Sequence, residues 1–354
     1  MHLNEYLPRR VNHGPWLTSY TLNRLRQLDA STEIVLPICS LGAAYSTIST
    51  VGDLHLPPLF HEALDDELKH RVVEQIYRCF PEHELSSLRS SKLPRLRVVE
   101  LSPVTPAECD SPKVLAFSVD TAVEEHGPHL PLCTDTIQSY GVLQQLAREY
   151  KGVVPGPPVE YGQLTWGLPF GYSIDLTAEL LTRYVTRFTN AVLDWLRPES
   201  LYVVDVHGSI VHRQAIVEGL QQSRASRWAF RWLHEPLAEF SSERGDQHAG
   251  GVETAFVEYV SPELLDADWW PHRIDDIAAG QMSFERAVEL TPDLPRFFQE
   301  VADTQCNGIV GKIENYKSLD SRELFDRALD VARSDVESLL SGNPIEQSAG
   351  QQLW

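Results

Sequence analysis

The stretch "EEHGPHLPLCTD" (124–135) gathers two acids, two histidines and a distal aspartate around Gly127, Pro128 and Pro131. Carboxylates and imidazoles are donors that suit Zn²⁺, Mn²⁺ and Fe²⁺. Glu124 and His126 are two apart, and in an extended segment residues i and i+2 project to one side. The two side chains can therefore converge on one ion or on two neighbouring ions. Asp135 follows once the two prolines have constrained the path. A carboxylate there is placed to bridge two ions, which dinuclear hydrolytic sites hold about 3.5–4 Å apart. The same residues would also make a polar turn with solvated acids, and spacing alone leaves both readings open.

Two further segments favour the metal reading. "DVHGS" (205–209) puts His207 at the end of an apolar run, with Gly208 allowing close approach. "DQHAGGVETAF" (246–256) offers His248 and Glu253 around an Ala-Gly-Gly turn. A lone histidine at a strand end is usually structural. Three loops of histidine plus acid on one chain are harder to explain that way.

These loops need strands to carry them. "KVLAFSV" (113–119) and "LYVVDV" (201–206) read as buried strands, and the candidate loops follow each of them. Between them, Leu181, Val185, Phe188, Val192 and Trp195 recur at helical spacing over about Thr177 to Arg197. Asp175 or Thr177 can cap that helix, and Pro198 closes it. Asp320 and Glu323 have capping-box spacing before Leu324, Phe325, Ala328, Leu329 and Ala332, a second amphipathic helix. Strands alternating with helices predict a mostly parallel sheet covered on both faces. In such folds, reactive loops leave the carboxyl ends of strands.

Residues 1–96 read as an N-terminal α/β extension with one strand-like run, "TEIVLPICSLGA" (32–43), and one amphipathic helix (61–80). A linker is expected near 86–95. "LPICSLG…GDLHLPP" (36–58) faintly echoes "LAFSVDT…GPHLPL" (115–132), without the Glu-x-His pair. Residues 97–340 are expected to form the catalytic domain, and 341–354 a loose tail.

Composition sets outer bounds. The 354 residues carry a net charge of −20, with 42% hydrophobic and 23% charged residues. That composition can bury a core. An acidic chain without a basic stripe argues against nucleic acid or an anionic membrane as partner, and no apolar run reaches membrane-spanning length. Cys39, Cys79, Cys109, Cys133 and Cys306 are odd in number and form no C-x-x-C pair, against a disulfide framework or a thiolate zinc site. With no secretory h-region at the start, a cytoplasmic location is expected.

"EEHGPHLPLCTD" resembles the signature of the creatininase (creatinine amidohydrolase) family, Glu-x-His-Gly-Pro-His-Leu-Pro-x-x-x-Asp, at Glu124, His126 through Pro131, and Asp135. "VHGS" resembles a weakened form of the family's Asn-Gly-His-Gly-Gly-Asn loop. "HAGGVETA" is similar to its His-Ala-Gly-x-x-Glu-Thr segment, and 307–329 resembles its closing segment. The resemblance implies a three-layer α/β/α hydrolase with two divalent ions (Zn, Mn or Fe), acting on a small-molecule substrate, and a homo-oligomer. It implies that Glu124 and His207 hold one ion, that His126 holds the other and that Asp135 bridges. His129 would brace the loop. Where creatininase completes the second shell with a glutamate, this chain has Ser209; Glu253 is the expected replacement and Asp205 the alternative. His248 would then transfer a proton to the leaving nitrogen. Trp166, Tyr172 and Ser209 are expected to meet the substrate.

The leading expectation is hydrolysis of a C–N bond in a small or cyclic amide. Formamidopyrimidine-type deformylation, inosose-ring hydrolysis and cleavage of a short peptide stay open within the fold. A non-catalytic metal-binding scaffold is the alternative of another class.

Overall fold

Two sheets, each of four parallel strands, organise the residues that the computed structural model describes: 16–25, 27–28, 32–41, 54–79, 95–102 and 110–343. The first is built on β1 (Glu33–Cys39), whose first half pairs with β2 (Leu54–His55) and whose second half pairs with β3 (Leu59–Phe60). Helix α1 (Asp66–Cys79) follows. It starts later than the pattern over 61–80 predicts, because the Asp65 carboxylate accepts the Leu68 N–H at 2.8 Å and sets the first turn there. β4 (Arg95–Glu100) then pairs with β1 along its length. The boundary expected between 96 and 97 therefore falls inside a strand of the first sheet. Of the expected linker (86–95), only Arg95, in β4, is described, and of the expected tail (341–354), only 341–343, with Ser341 still in the closing helix. The rest of both, the middle of the echoed segment (42–53) and Cys109 lie outside the described residues.

The second sheet has the order β6–β5–β7–β8, from β5 (Val114–Ser118), β6 (Val153–Pro155), β7 (Ser200–Asp205) and β8 (Trp228–Trp232). Parallel neighbours need crossovers. These are α2 (Thr134–Glu149), α3 (Ala178–Leu196) and α4 (Ile210–Gln222). After β8 come α5 (Gly251–Val260), α6 (Ile274–Ala279), α7 (Phe284–Leu290), α8 (Leu294–Thr304) and the closing α9 (Ser321–Ser341). α3 packs on α4, while α2, α5 and α9 pack together, so helices sandwich the sheet as expected. β5 and β7 are buried along their whole length, which is why both read as unbroken apolar runs.

The caps fall where the side chains put them. Thr177 accepts the Leu180 N–H, and Asp320 accepts those of Arg322 and Glu323. On α3, Leu181, Val185, Phe188 and Val192 are buried as the spacing predicts, but Trp195 is only half-buried, and Leu196 takes the inner position.

The two sheets share one apolar core, bridged by Phe188 of α3, which packs against Phe60 of β3 on one side and Phe117 of β5 on the other. A short N-terminal strap ties in as well. The carbonyls of Tyr20 and Thr18 accept the N–H groups of Leu132 and Cys133 at 3.1 and 2.9 Å, in the turn that leads into α2. Thr21 donates to Asp266 at 2.6 Å, and the Asp266 N–H donates to the His129 carbonyl. A smaller cluster of Met282, Leu290, Phe297 and Val301 holds α7 and α8 against Trp166 and Phe170. Among the described residues no helix is long and apolar enough to cross a membrane.

Candidate metal centre

The segment 119–126 leaves β5 and runs beside 159–160, with Asp120 and Ala122 donating to the carbonyls of Val159 and Glu160. Gly127 takes φ +72, a conformation glycine adopts without strain, and turns the chain into the two prolines. Asp135 lies in the first turn of α2, His207 two residues past β7, and Glu253 in the first turn of α5. Three stretches distant in sequence, 124–135, 207 and 253, thus deliver their polar side chains to one place. Glu124, His126, Asp135 and Glu253 are all buried.

The donor atoms fall into three overlapping groups, each with its atoms within 4.8 Å of one another: Glu124, His126 and His248; Glu124, Asp135 and His207; His126, Asp135 and Glu253. Asp135 faces both ways. Its Oδ1 is 3.4 Å from His126 Nε2, and its Oδ2 is 3.5 Å from His207 Nδ1. Glu124 also splits, with Oε2 at 3.1 Å from His207 Nδ1 and Oε1 at 3.7 Å from His248 Nδ1. Glu253 Oε2 lies 3.8 Å from His126 Nε2 and accepts the Ala249 N–H.

The other nitrogen of each imidazole is spoken for. His126 Nδ1 meets the Glu124 carbonyl at 3.0 Å, His207 Nε2 the Gln163 carbonyl at 3.1 Å, and His248 Nε2 the Glu125 carbonyl at 2.7 Å. A carbonyl only accepts, so each of these nitrogens carries the proton. In the neutral rings, the remaining lone pairs of His126 Nε2, His207 Nδ1 and His248 Nδ1 all point at carboxylates. Lone pairs facing anions call for a positive charge between them. Histidine metal ligands are oriented in this way, the far N–H tied to a carbonyl or a carboxylate. The residues therefore fit divalent cations.

The electrostatics agree. Burial disfavours charge on His126, yet Asp135 beside it raises its pKa to about 10. His207 is likewise driven well above its ordinary value by Glu124 and Asp135, against its burial. Burial pushes Glu253 up to about 8. The cluster draws positive charge in, as an acid-rich pocket screened from water does.

Other predicted residues fall into place around it. His129 hydrogen-bonds Thr254 Oγ1 at 2.7 Å and packs on Trp270, in none of the donor groups; burial lowers its pKa to about 3. Asp205 accepts the His207 N–H at 2.8 Å and lies outside those groups too. A cavity of 570 Å³ opens above the cluster, lined by Glu124, Asp135, His207, His248 and Glu253 at its floor. Trp166 and Ser209 line it, with Ser209 donating to the Gln163 side chain at 2.6 Å. Tyr172, expected there, does not line it. It follows Gly171 with φ 44, and its ring packs against the main core.

Two contributors escape sequence reasoning. The Gln163 carbonyl orients His207, and a backbone acceptor has no signature of its own. Thr121 puts its hydroxyl 2.6 Å from Asp135 Oδ2; its only signal is a hydroxyl three positions before Glu124.

Comparison with known proteins bears on the same region. The family model described as creatinine amidohydrolase matches residues 108–334. A mycofactocin precursor peptide peptidase of Mycobacterium ulcerans (strain Agy99) is 29% identical over 223 residues, which cover 61% of this chain and 81% of that protein. The protein of that name from Mycobacterium tuberculosis (strain CDC 1551 / Oshkosh) is 28% identical over 160 residues, 42% of this chain and 59% of its own. A crystal structure of a putative creatinine amidohydrolase from Bacteroides fragilis NCTC 9343 superposes with TM-score 0.48 at 17% identity, over 67% of this chain and 93% of that one. The matched span holds every residue of the donor cluster, and with it the chain belongs to the creatininase family, hydrolases that act on carbon–nitrogen amide bonds.

Proposed function

We propose that the chain hydrolyses an amide C–N bond of a small molecule or a short peptide at a centre holding two divalent ions. The observation that carries this is the set of three imidazoles, each tied by one N–H to a backbone carbonyl and each turning its lone pair toward shared carboxylates. Glu124 and His207 would hold one ion, His126 and Glu253 the other, and Asp135 would bridge through its two oxygens. Zn²⁺, Mn²⁺ and Fe²⁺ all suit this mixed set. Bound there, the ions would polarise the amide carbonyl and lower the pKa of water.

The chain's own residues do the rest. His248 lines the cavity beside the donor cluster, and its bond to the Glu125 carbonyl keeps Nδ1 as the nitrogen open to the substrate. That atom is placed to accept a proton and hand it to the leaving nitrogen. Trp166 walls the cavity, stacked on Phe297 with ring centroids 4.9 Å apart. Ile210, Val211, Phe284, Val288 and Leu294 give the mouth an apolar lining.

The cavity favours a substrate larger than one small ring. Its 570 Å³ falls within the range of about 300–1,000 Å³ typical of pockets for drug-sized ligands. The similar mycobacterial proteins are named as peptidases, which supports a peptide end as the occupant beside the small or cyclic amides.

Elemental analysis tests the reading, with about two divalent ions per chain expected for a site of this type. Amide hydrolysis should disappear on chelation and return on adding Zn²⁺, Mn²⁺ or Fe²⁺. Equal turnover by an ion-free chain would sink the proposal. We further place the division between the N-terminal extension and the catalytic domain after β4, and keep a homo-oligomer as the expected assembly, to be measured by light scattering.

A further inference from the structure

Thr121 sits on a segment whose path is fixed. Asp120 and Ala122, on either side, donate to Val159 and Glu160 at 2.9 and 3.0 Å. Its methyl abuts Gly162, where a Cβ would come within 2.6 Å of Thr121 Cγ2. With the methyl turned that way, the hydroxyl points into the donor cluster. Oγ1 donates to Glu124 Oε2, lies 2.6 Å from Asp135 Oδ2, and is 3.4 Å from His207 Nδ1.

A proton count shows what is missing from this arrangement. Ionised carboxylate oxygens only accept, and His207 has its N–H on the Gln163 carbonyl, so its Nδ1 offers a lone pair. The hydroxyl brings one proton. With His207 neutral, four electron-rich atoms from four residues thus share a single hydrogen in a buried place, where repulsion is poorly screened. The geometry calls for added positive charge, which a proton on His207 Nδ1 supplies in the metal-free chain. A cation among them resolves the conflict. The hydroxyl then turns a lone pair to the cation and keeps its proton for one carboxylate.

We propose that the Thr121 hydroxyl is an oxygen donor to the cation held by Glu124, Asp135 and His207. The proposal rests on the dinuclear reading above. It adds a neutral oxygen to that site, and oxygen donors suit Mn²⁺ better than they suit Zn²⁺. A Thr121 that merely orients Glu124 would have no such preference.

The test is competition titration of Mn²⁺, and separately of Zn²⁺, against a chromophoric chelator, using the full chain stripped of metal. Wild type, Thr121→Val and Thr121→Ser are compared, with folding checked by circular dichroism. Thr121→Val should lose roughly tenfold or more in Mn²⁺ affinity at one of the two sites, a loss of the size seen when groups around a metal are removed. Its Zn²⁺ affinity should fall less, and Thr121→Ser should stay near wild type. Unchanged Mn²⁺ binding, or equal losses for both metals, overturns the assignment and leaves the dinuclear reading standing. A wild-type chain that binds neither metal overturns both. Should Thr121→Val fail to fold, a crystal structure of Mn²⁺-loaded wild type decides. Oγ1 at an oxygen–ligand distance of about 2.0–2.6 Å supports the proposal, and a clearly longer distance refutes it.

Discussion

His248 reaches the backbone carbonyl of Glu125 at 2.7 Å through Nε2, which leaves Nδ1 unprotonated and turned toward Glu124 Oε1 at 3.7 Å. Two roles fit such a nitrogen, ligand and proton carrier, and we assign the second, because Glu124, His126, Asp135, His207 and Glu253 already offer donors for two ions. His248→Ala should therefore keep its metal content and lose about 10²–10⁴-fold in turnover, the usual contribution of general acid–base catalysis. Elemental analysis beside an amide-hydrolysis assay checks this. Loss of one ion would instead make His248 a ligand.

Asp135 is the one carboxylate whose two oxygens face His126 and His207 separately. Asp135→Ala should strip both ions, whereas Glu124→Ala should leave one largely in place. Metal content per chain after dialysis gives the answer. Equal residual metal in the two variants would remove the bridging role.

Trp166 belongs to none of the donor groups, yet it forms cavity wall by stacking on Phe297 and donating to Thr291 at 3.1 Å. Trp166→Ala should raise KM while leaving metal content intact and kcat less affected, the signature of lost substrate binding. A fall in kcat with KM unchanged would count against a binding role.

His55 lies buried edge-on against Trp16, and burial lowers its pKa below 6.5. The unfolded chain takes up a proton near pH ~6.5 that the folded chain resists. This contribution to stability is full above that pH and is lost as pH falls through it. The gap in Tm between wild type and His55→Asn should accordingly shift against wild type from about pH 7.5 to about 5.5. Comparing the two proteins cancels the titration of the donor cluster, which both share. A gap that does not move with pH would contradict the assignment.

What could be read in advance follows from where the information sits. β5 and β7 are buried on both faces, so their apolar runs announce them, and Thr177 and Asp320 mark helix starts through their own side chains. The donor cluster was legible because its chemistry lies in side chains within short motifs. Tyr172 packs on the core after a backbone turn at φ 44, which residue type does not announce. Part of the cavity wall comes from α7 and the start of α8, and only tertiary packing brings Phe284 and Leu294 to the same cavity as Trp166. Gln163 acts through its carbonyl, which every residue has.

The strap formed by Thr18 and Tyr20 has a consequence for the order in which the molecule assembles. Its acceptors leave the ribosome first, but their donors, Leu132 and Cys133, arrive more than a hundred positions later. Contacts of such separation close large loops and tend to form late. Secondary structure of the second sheet should therefore appear in refolding before the turn ahead of Asp135 is held in place. Ion uptake would then lag the helical signal, and would report the docking of the chain's beginning rather than the formation of its central sheet.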